Sequence, residues 1–268
     1  MRKQESINLE KYYTPIETAK YCIDKAFEVI GKENISDIIE PSAGNGSFSL
    51  QLEGCKAYDI EPEHESIIKQ NFLELDLEYK EGRLLIGNPP FGFKNTLALQ
   101  FYKKSIKLGD YIAFILPISQ LSNNISMYEF DLIHSEDLGE LEYFNANKLV
   151  SCVLNIYKRN VNGLNKKPNY KLKDVSVIEY RRSGSEHIPI KYDFSICGFG
   201  ASIGKLCEYD NQYCKIFYIL INNDLLRQRI EETILNADWK SIYKMTNSPN
   251  LLHWQIYKYL KEQISEIQ

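Results

Sequence analysis

The sequence predicts an α/β fold: a doubly wound, mostly parallel sheet with an antiparallel edge pair, followed by a small C-terminal α+β region. Three observations carry this. Short apolar runs of strand character alternate with runs of helical period from residue 14 to residue 133, the pattern of βαβ units. Two strand-like runs then follow with no helix between them, near Glu140–Phe144 and Cys152–Tyr157, and such neighbours pair antiparallel. After Lys158 the alternation weakens, and Asn160–Pro168 is polar and turn-rich, which marks a boundary. The expected domains are residues 1–158 and 159–268.

Thr14-Pro15-Ile16-Glu17 opens the first helix, with Thr14 as its expected cap, Pro15 in the first turn and Glu17 completing a capping box. Ile16, Ala19, Ile23, Ala26, Phe27 and Ile30 recur at helical spacing, and Gly31 closes the run. Strands are expected at Asp37–Glu40, Cys55–Asp59, Arg83–Gly87 and Tyr111–Leu116. Helices are expected through Phe48–Leu52, from Pro62, over Thr96–Ile106 and near Met127–Ile133. Beyond residue 158 a strand is expected at Phe217–Leu220, a helix at Asn223–Leu235, and a last helix capped by Ser248 and started by Pro249. Trp254, Tyr257 and Leu260 on that last helix stand at packing spacing.

Apolar residues make up 44 % of the chain and charged residues 25 %, the balance of an ordinary globular protein. No apolar run reaches the ~18 residues of a membrane span. The N-terminus lacks the apolar core of a signal peptide, so a cytoplasmic protein is expected. The six cysteines are scattered without zinc-site spacing, and the four histidines His64, His134, His187 and His253 show no ligand spacing. Free thiols and no metal are expected. Residues 1–157 hold 15 basic and 24 acidic side chains, whereas 158–268 hold 17 and 12. Lys158–Lys191 alone has nine basic against three acidic. A negative body with a positive C-terminal segment suits a domain joined to a polyanion-binding element; a solvated basic linker is the plainer alternative.

Three constellations carry chemistry. In the first, a strand ends in Glu40 and runs through Pro41, Ser42, Ala43, Gly44, Asn45 and Gly46. Glycines there let a backbone approach a ligand closely, and the carboxylate suits a cationic or hydroxyl-bearing ligand better than a pyrophosphate. The second is Asp59, at the end of the next strand and 19 residues on, followed by Ile60. A carboxylate in that place accepts from both ribose hydroxyls. The third is Asn88-Pro89-Pro90-Phe91 after a buried strand. Two prolines fix the backbone and remove two donors, leaving carbonyl oxygens and the Asn88 amide as acceptors beside an aromatic ring. That arrangement fits a planar amino group.

Together these residues resemble the amino-methyltransferases of nucleic acid, specifically the adenine-N6 DNA methyltransferases of Asn-Pro-Pro-Phe type. The resemblance covers roughly residues 12–158. Tyr12, Tyr13, Thr14 and Pro15 are similar to the family's N-terminal cofactor motif, Glu40–Gly46 to its glycine loop, and Asp59 to its ribose carboxylate. Asn71-Phe72 stands where the family has Asp-Phe against the cofactor adenine; an amide oxygen still accepts there. Asn88-Pro89-Pro90-Phe91 matches the catalytic tetrapeptide, and Phe144 with Val150–Tyr157 resembles the late motif whose aromatic stacks on the flipped base.

The resemblance implies a seven-stranded Rossmann-like catalytic domain over 1–158, S-adenosyl-L-methionine as cofactor and double-stranded DNA as partner. Only about 40 residues separate the glycine loop from Asn88, so no recognition domain fits there and 159–268 becomes the expected target-recognition region. Because it is small, a homodimer or a separate specificity subunit is also expected. The implied mechanism flips the base, holds its amino group on the Asn88 side chain and the Pro89 carbonyl, and stacks it between Phe91 and Phe144. The same tetrapeptide serves enzymes acting on rRNA bases or protein glutamine, and a non-catalytic nucleic-acid-binding module is the third alternative. The stretch Gly198–Lys205 looks like a phosphate loop but has Phe199 and Leu206 where glycine and Ser or Thr are needed. It is expected to be a connection or a DNA-contacting loop. Arg181-Arg182 and Lys166-Lys167 are candidate phosphate contacts or solvated surface.

Overall fold

A computed structural model describes residues 13–123, 125–143, 148–182, 189–207, 214–245 and 249–268. The chain divides into two compact units, Met1–Pro168 and Asn169–Gln268.

In the first unit, helix α1 (Ile16–Ile30) leads into β1 (Asp37–Glu40), β2 (Lys56–Asp59), the two-residue β3 (Ile68–Lys69) and β4 (Arg83–Gly87). Helix α2 (Thr96–Ser105), β5 (Tyr111–Pro117), β6 (Asp131–Tyr143) and β7 (Lys148–Lys158) follow. They form one seven-stranded sheet in the order β3-β2-β1-β4-β5-β7-β6. The first five are parallel, and β7 pairs antiparallel with both β5 and β6. The α/β, mostly parallel fold with an antiparallel edge pair is thus what the chain adopts.

The sheet is covered on both faces, as the period-two alternation of its strands requires. Leu84, Ile86, Ala113, Ile115, Leu154 and Ile156 pack with Ala19, Cys22 and Ala26 of α1. Their neighbours Leu85, Ile112, Phe114 and Val153 pack with Ala98, Phe101 and Tyr102 of α2.

Several expected elements take other forms. Thr14 does not cap α1: Pro15 holds the cap position, with no side-chain cap bond, and Thr14 is spent elsewhere, as described below. No helix follows the glycine loop. Only a single 3₁₀ turn, Ser49–Gln51, fits between two positive-φ glycines and Gly54, and so short a segment cannot support the cost of nucleating a helix. Residues from Pro62 make turns. The Met127–Ile133 segment is not helical; β6 starts at Asp131 and runs 13 residues, with register shifts at Leu132/His134 and Asp137/Gly139. Such bulges and the acidic side chains along it blunt a long edge strand.

The division also falls later than Lys158. Arg159 reaches back to Asp110 (Nε to Oδ1, 3.0 Å), while Asn160 and Asn165 donate to the two oxygens of Asp131 at 2.8 and 2.7 Å. The polar stretch therefore belongs to the first unit. One consequence concerns charge: Asn169–Gln268 holds 13 basic and 12 acidic residues, so the positive excess is confined to Lys158–Lys191 across the junction.

The second unit is α+β. Strands β8 (Val175–Arg181), β9 (Phe194–Cys197) and β10 (Lys215–Ile221) form an antiparallel sheet in the order β8-β10-β9. Helices α3 (Arg227–Leu235), α4 (Trp239–Ile242) and α5 (His253–Gln263) follow. Phe217, Ile219 and Ile221 on one sheet face pack against Ile230, Ile234, Ile256 and Leu260. Trp254, Tyr257 and Leu260 are buried, in keeping with their packing role. Ser248 lies outside the described residues, and α5 begins at His253. Three cysteines, Cys22, Cys152 and Cys197, are buried, whereas Cys214 is exposed. Among the described residues no helix is long and apolar enough to cross a membrane.

Candidate active site

Four neighbouring strands, β3-β2-β1-β4, each deliver one polar side chain at or just beyond the carboxyl end: Asn71, Asp59, Glu40 and Asn88. Open α/β sheets place their ligands at this edge. All four line one cavity of about 410 Å³, within the usual range for a small-molecule site.

Glu40 is the most enclosed of them, 1 % exposed. Its Oε2 accepts from the Ser49 amide at 2.8 Å. Burial pushes its carboxyl up to about 8, with Asp59 adding to the rise and the Ser49 bonds opposing it. A carboxyl kept neutral by desolvation is one that a cationic ligand would ionise.

Asp59 holds the glycine loop. Its Oδ2 accepts from the Gly44 amide and its Oδ1 from the Glu61 amide, both at 2.8 Å. Each carboxylate oxygen retains acceptor capacity for a ligand. Gly44 sits at φ +53°, and a Cβ there would lie 2.7 Å from the Tyr13 ring. The glycine is thus required by backbone conformation and by the close approach of Tyr13. The Tyr13 hydroxyl donates to Glu63, whose amide donates to the Gly44 carbonyl at 3.0 Å. Tyr13 is in this way strapped across the loop.

Asn71 Oδ1 accepts from the Leu73 amide at 3.1 Å, capping a 3₁₀ turn that contains Phe72. Phe72 stacks on Phe101 of α2 with centroids 5.5 Å apart.

Asn88 Nδ2 donates to Thr14 Oγ1 at 3.2 Å, and the Ser42 hydroxyl donates to the Asn88 carbonyl at 3.3 Å. Thr14 is buried, and its own carbonyl accepts from Ser47 Oγ at 2.8 Å. The tetrapeptide, the glycine loop and the residue before α1 are therefore one hydrogen-bonded assembly.

Of the residues expected from sequence, Tyr13, Thr14, Glu40, Pro41, Ser42, Ala43, Gly44, Asp59, Ile60, Asn71, Phe72, Asn88 and Pro90 line this cavity. Gly46, Pro89 and Phe91 do not. Beyond β4, Asn88, Pro90, Gly92 and Phe93 line the cavity, while Pro89 and Phe91 do not. Phe91 is half-buried against the cluster containing Ala19 and Phe48. Neither Phe91, the expected stacking ring, nor Pro89, the expected carbonyl acceptor, is among the residues lining this cavity. Phe144 lies outside the described residues.

Sequence reasoning missed several other residues of the wall, among them Gln70, Leu97, Phe101 and Phe93. Leu97 and Phe101 are i and i+4 on α2 and share a face, a signal the sequence does contain. Phe93 follows a glycine that reverses the chain, and nothing in its spacing announces it.

No protein-family model matches the chain, and no curated protein matches it. Solved structures do. A Pyrococcus horikoshii protein with a proposed RNA-methyltransferase assignment matches with 16 % identity and TM-score 0.45, over 59 % of this chain and 92 % of its own. A Thermoplasma acidophilum protein matches with 19 % identity and TM-score 0.44, over 57 % and 93 %. A Listeria monocytogenes protein with a proposed class I S-adenosylmethionine-dependent methyltransferase assignment matches with 15 % identity and TM-score 0.45, over 62 % and 66 %. These values carry no argument about activity or substrate. The α/β architecture stands on the strand order itself.

Proposed function

We propose that this chain transfers a methyl group from S-adenosyl-L-methionine to the N6 amino group of adenine in double-stranded DNA. The observation that supports this reading is the convergence of Glu40, Asp59, Asn71 and Asn88 on one cavity at the carboxyl edge of the sheet.

The residues fit the cofactor. Glu40 is a buried carboxyl beside the loop, matched to a cation. Asp59 offers acceptors for vicinal hydroxyls, and Phe72 offers an apolar surface with Asn71 beside it for a planar heterocycle. Glu40, the loop Pro41–Gly44, Asp59, Ile60, Asn71 and Phe72 would hold the cofactor, with Tyr13 and Thr14 closing the loop from outside. Bound there, the cofactor supplies an electrophilic methyl group on a sulfonium centre.

The chain's own part in transfer is positioning. Thr14 holds the Asn88 amide by its nitrogen, and an amide oxygen carries two lone pairs with which Oδ1 would accept a substrate amino hydrogen. An acceptor fixed in advance draws the amino nitrogen out of conjugation with its ring and stabilises the positive charge that grows on it. Pro89 and Pro90 hold Asn88 rigid by fixing φ at two successive residues. A duplex base reaches such a cavity by leaving its stack. The basic segment Lys158–Lys191 supplies phosphate contacts, and Asn169–Gln268 chooses the sequence, alone or with a second copy or a specificity subunit. The whole reads as a member of the Asn-Pro-Pro-Phe adenine methyltransferases, in a cytoplasmic setting.

The direct assay incubates purified protein with methyl-labelled cofactor and, in parallel, duplex DNA, ribosomal RNA and a glutamine-bearing release factor. Label in N6-methyladenine of DNA supports the proposal. Label only in RNA or protein transfers the same chemistry to that substrate, and no label with any of them refutes it.

A further inference from the structure

We infer that Cys197 and Cys207 form a reversible disulfide that clasps the base of the stretch Gly198–Leu206; this stands apart from the methyl-transfer reading. The two cysteines flank that stretch at its two ends. Their thiols are free and their sulfurs stand 3.3 Å apart. Backbone pairing puts them there. The Cys197 amide donates to the Lys205 carbonyl and the Cys207 amide to the Ser195 carbonyl, both at 2.9 Å, around a bridge between Ile196 and Leu206. In this antiparallel frame Cys197 and Cys207 lie diagonally across from each other on the same face. The Gly204 amide donates back to the Cys197 carbonyl at 2.8 Å, so the chain has returned to its starting point before it reaches Cys207. From 3.3 Å, small side-chain rotations reach the ~2.0 Å of a disulfide bond.

Exposure divides the roles. Cys197 is fully buried and Cys207 half-buried, so Cys207 is the thiol that an outside reagent reaches and Cys197 the one that resolves it. The oxidant is a low-molecular-weight disulfide. The Cys207 thiolate attacks one of its sulfurs, forming a mixed disulfide and releasing one small thiol. The Cys197 thiolate then attacks Cys207 Sγ and releases the second. Two protein thiols are oxidised to one disulfide, and the small disulfide is reduced to two thiols that carry away both hydrogens. A dithiol reverses the sequence. Cys214 is the competing thiol: it is exposed and stands two residues before Ile216, the cross-strand partner of Cys197. Closure adds a covalent tie to a stretch whose Gly204 already packs on Trp239.

The experiment reduces the full chain, removes the reductant, adds oxidised glutathione and blocks the remaining thiols with N-ethylmaleimide. Trypsin, cutting after Lys191, Lys205 and Lys215, then puts Cys197 and Cys207 on separate peptides, with Cys214 on the same peptide as Cys207. The expected result is a disulfide joining the two peptides in wild type and in Cys214→Ser alike, which dithiothreitol separates. Oxidised Cys214→Ser should also unfold at higher urea than its reduced form, because the closed loop restricts the unfolded chain, and adding Cys207→Ser should remove that shift. Maleimide on both Cys197 and Cys207 overturns the inference, as does a glutathione adduct that persists on Cys207 or a link that disappears in Cys214→Ser. A urea midpoint unchanged or lowered by oxidation overturns the clasp.

Discussion

The Asn88 side-chain amide donates to the buried hydroxyl of Thr14 at 3.2 Å across 74 positions of sequence. This bond orients the residue on which the proposed chemistry turns. Asn88→Ala is expected to abolish methyl transfer while leaving cofactor affinity close to wild type. Thr14→Val removes the acceptor for Nδ2 at constant shape, and loss of one such neutral hydrogen bond predicts a fall in kcat of roughly fivefold, about 1 kcal/mol. Single-turnover rates together with calorimetric cofactor titration check both. Near-normal turnover in Asn88→Ala contradicts the mechanism.

Glu40 makes the site sensitive to pH. Its carboxyl is raised from 4.5 to about 8 by burial, so between those values it is protonated in the folded chain and ionised in the unfolded one. Unfolding then releases a proton, and stability falls as pH rises through that window. Glu40→Gln is expected to flatten the slope, as followed by urea unfolding from pH 5 to 9. A cationic ligand stabilises the carboxylate, so cofactor binding below about pH 8 should release a proton and affinity should rise with pH up to that point. Calorimetry in two buffers of different ionisation enthalpy measures the release. Binding without proton release, or release that persists in Glu40→Gln, contradicts this assignment.

Asp59 is expected to contribute to cofactor affinity twice over, as an acceptor for the ligand and as the tie on the Gly44 amide. Hydrogen bonds to a charged group are worth roughly 1.5–3 kcal/mol, so Asp59→Ala should raise the cofactor Kd by about ten- to a hundredfold. An unchanged Kd removes Asp59 from the site.

In the second unit, Gly204 sits at φ +79°, and a Cβ there would lie 2.2 Å from Trp239 Cδ1. Left-handed backbone costs an L-residue roughly 1–2 kcal/mol and overpacking roughly 1–3 kcal/mol more. Gly204→Ala should therefore destabilise the unit by about 2–5 kcal/mol, visible as an earlier denaturant transition. Gly204 is thereby explained by its packing against an indole. A variant as stable as wild type contradicts this account.

Much of this was legible in the sequence because strongly apolar runs leave few choices. The strands at Asp37–Glu40 and Arg83–Gly87 fall where their patterns put them, and each is read by a polar residue at its carboxyl end. What was not legible depended on longer-range facts. β3 is two residues long and exists only by pairing with β2. The Met127–Ile133 segment reads as helical, yet β6 starts inside it at Asp131, and the bulges of that 13-residue strand break the period of two that would have announced it. Strands β8 and β9, with their polar positions, needed β10 between them to become strands. Within the site, the tetrapeptide was recognisable but the packing of Phe91 against the cluster of α1 was not, because it depends on residues distant in sequence.

The central claim is tested most directly by single-molecule sequencing of DNA from cells expressing the wild-type chain and from cells expressing Asn88→Ala. N6-methyladenine confined to one short motif with the wild type, and absent with Asn88→Ala, is the predicted result. No modified base in the wild-type sample, or the same marks in both samples, would contradict it.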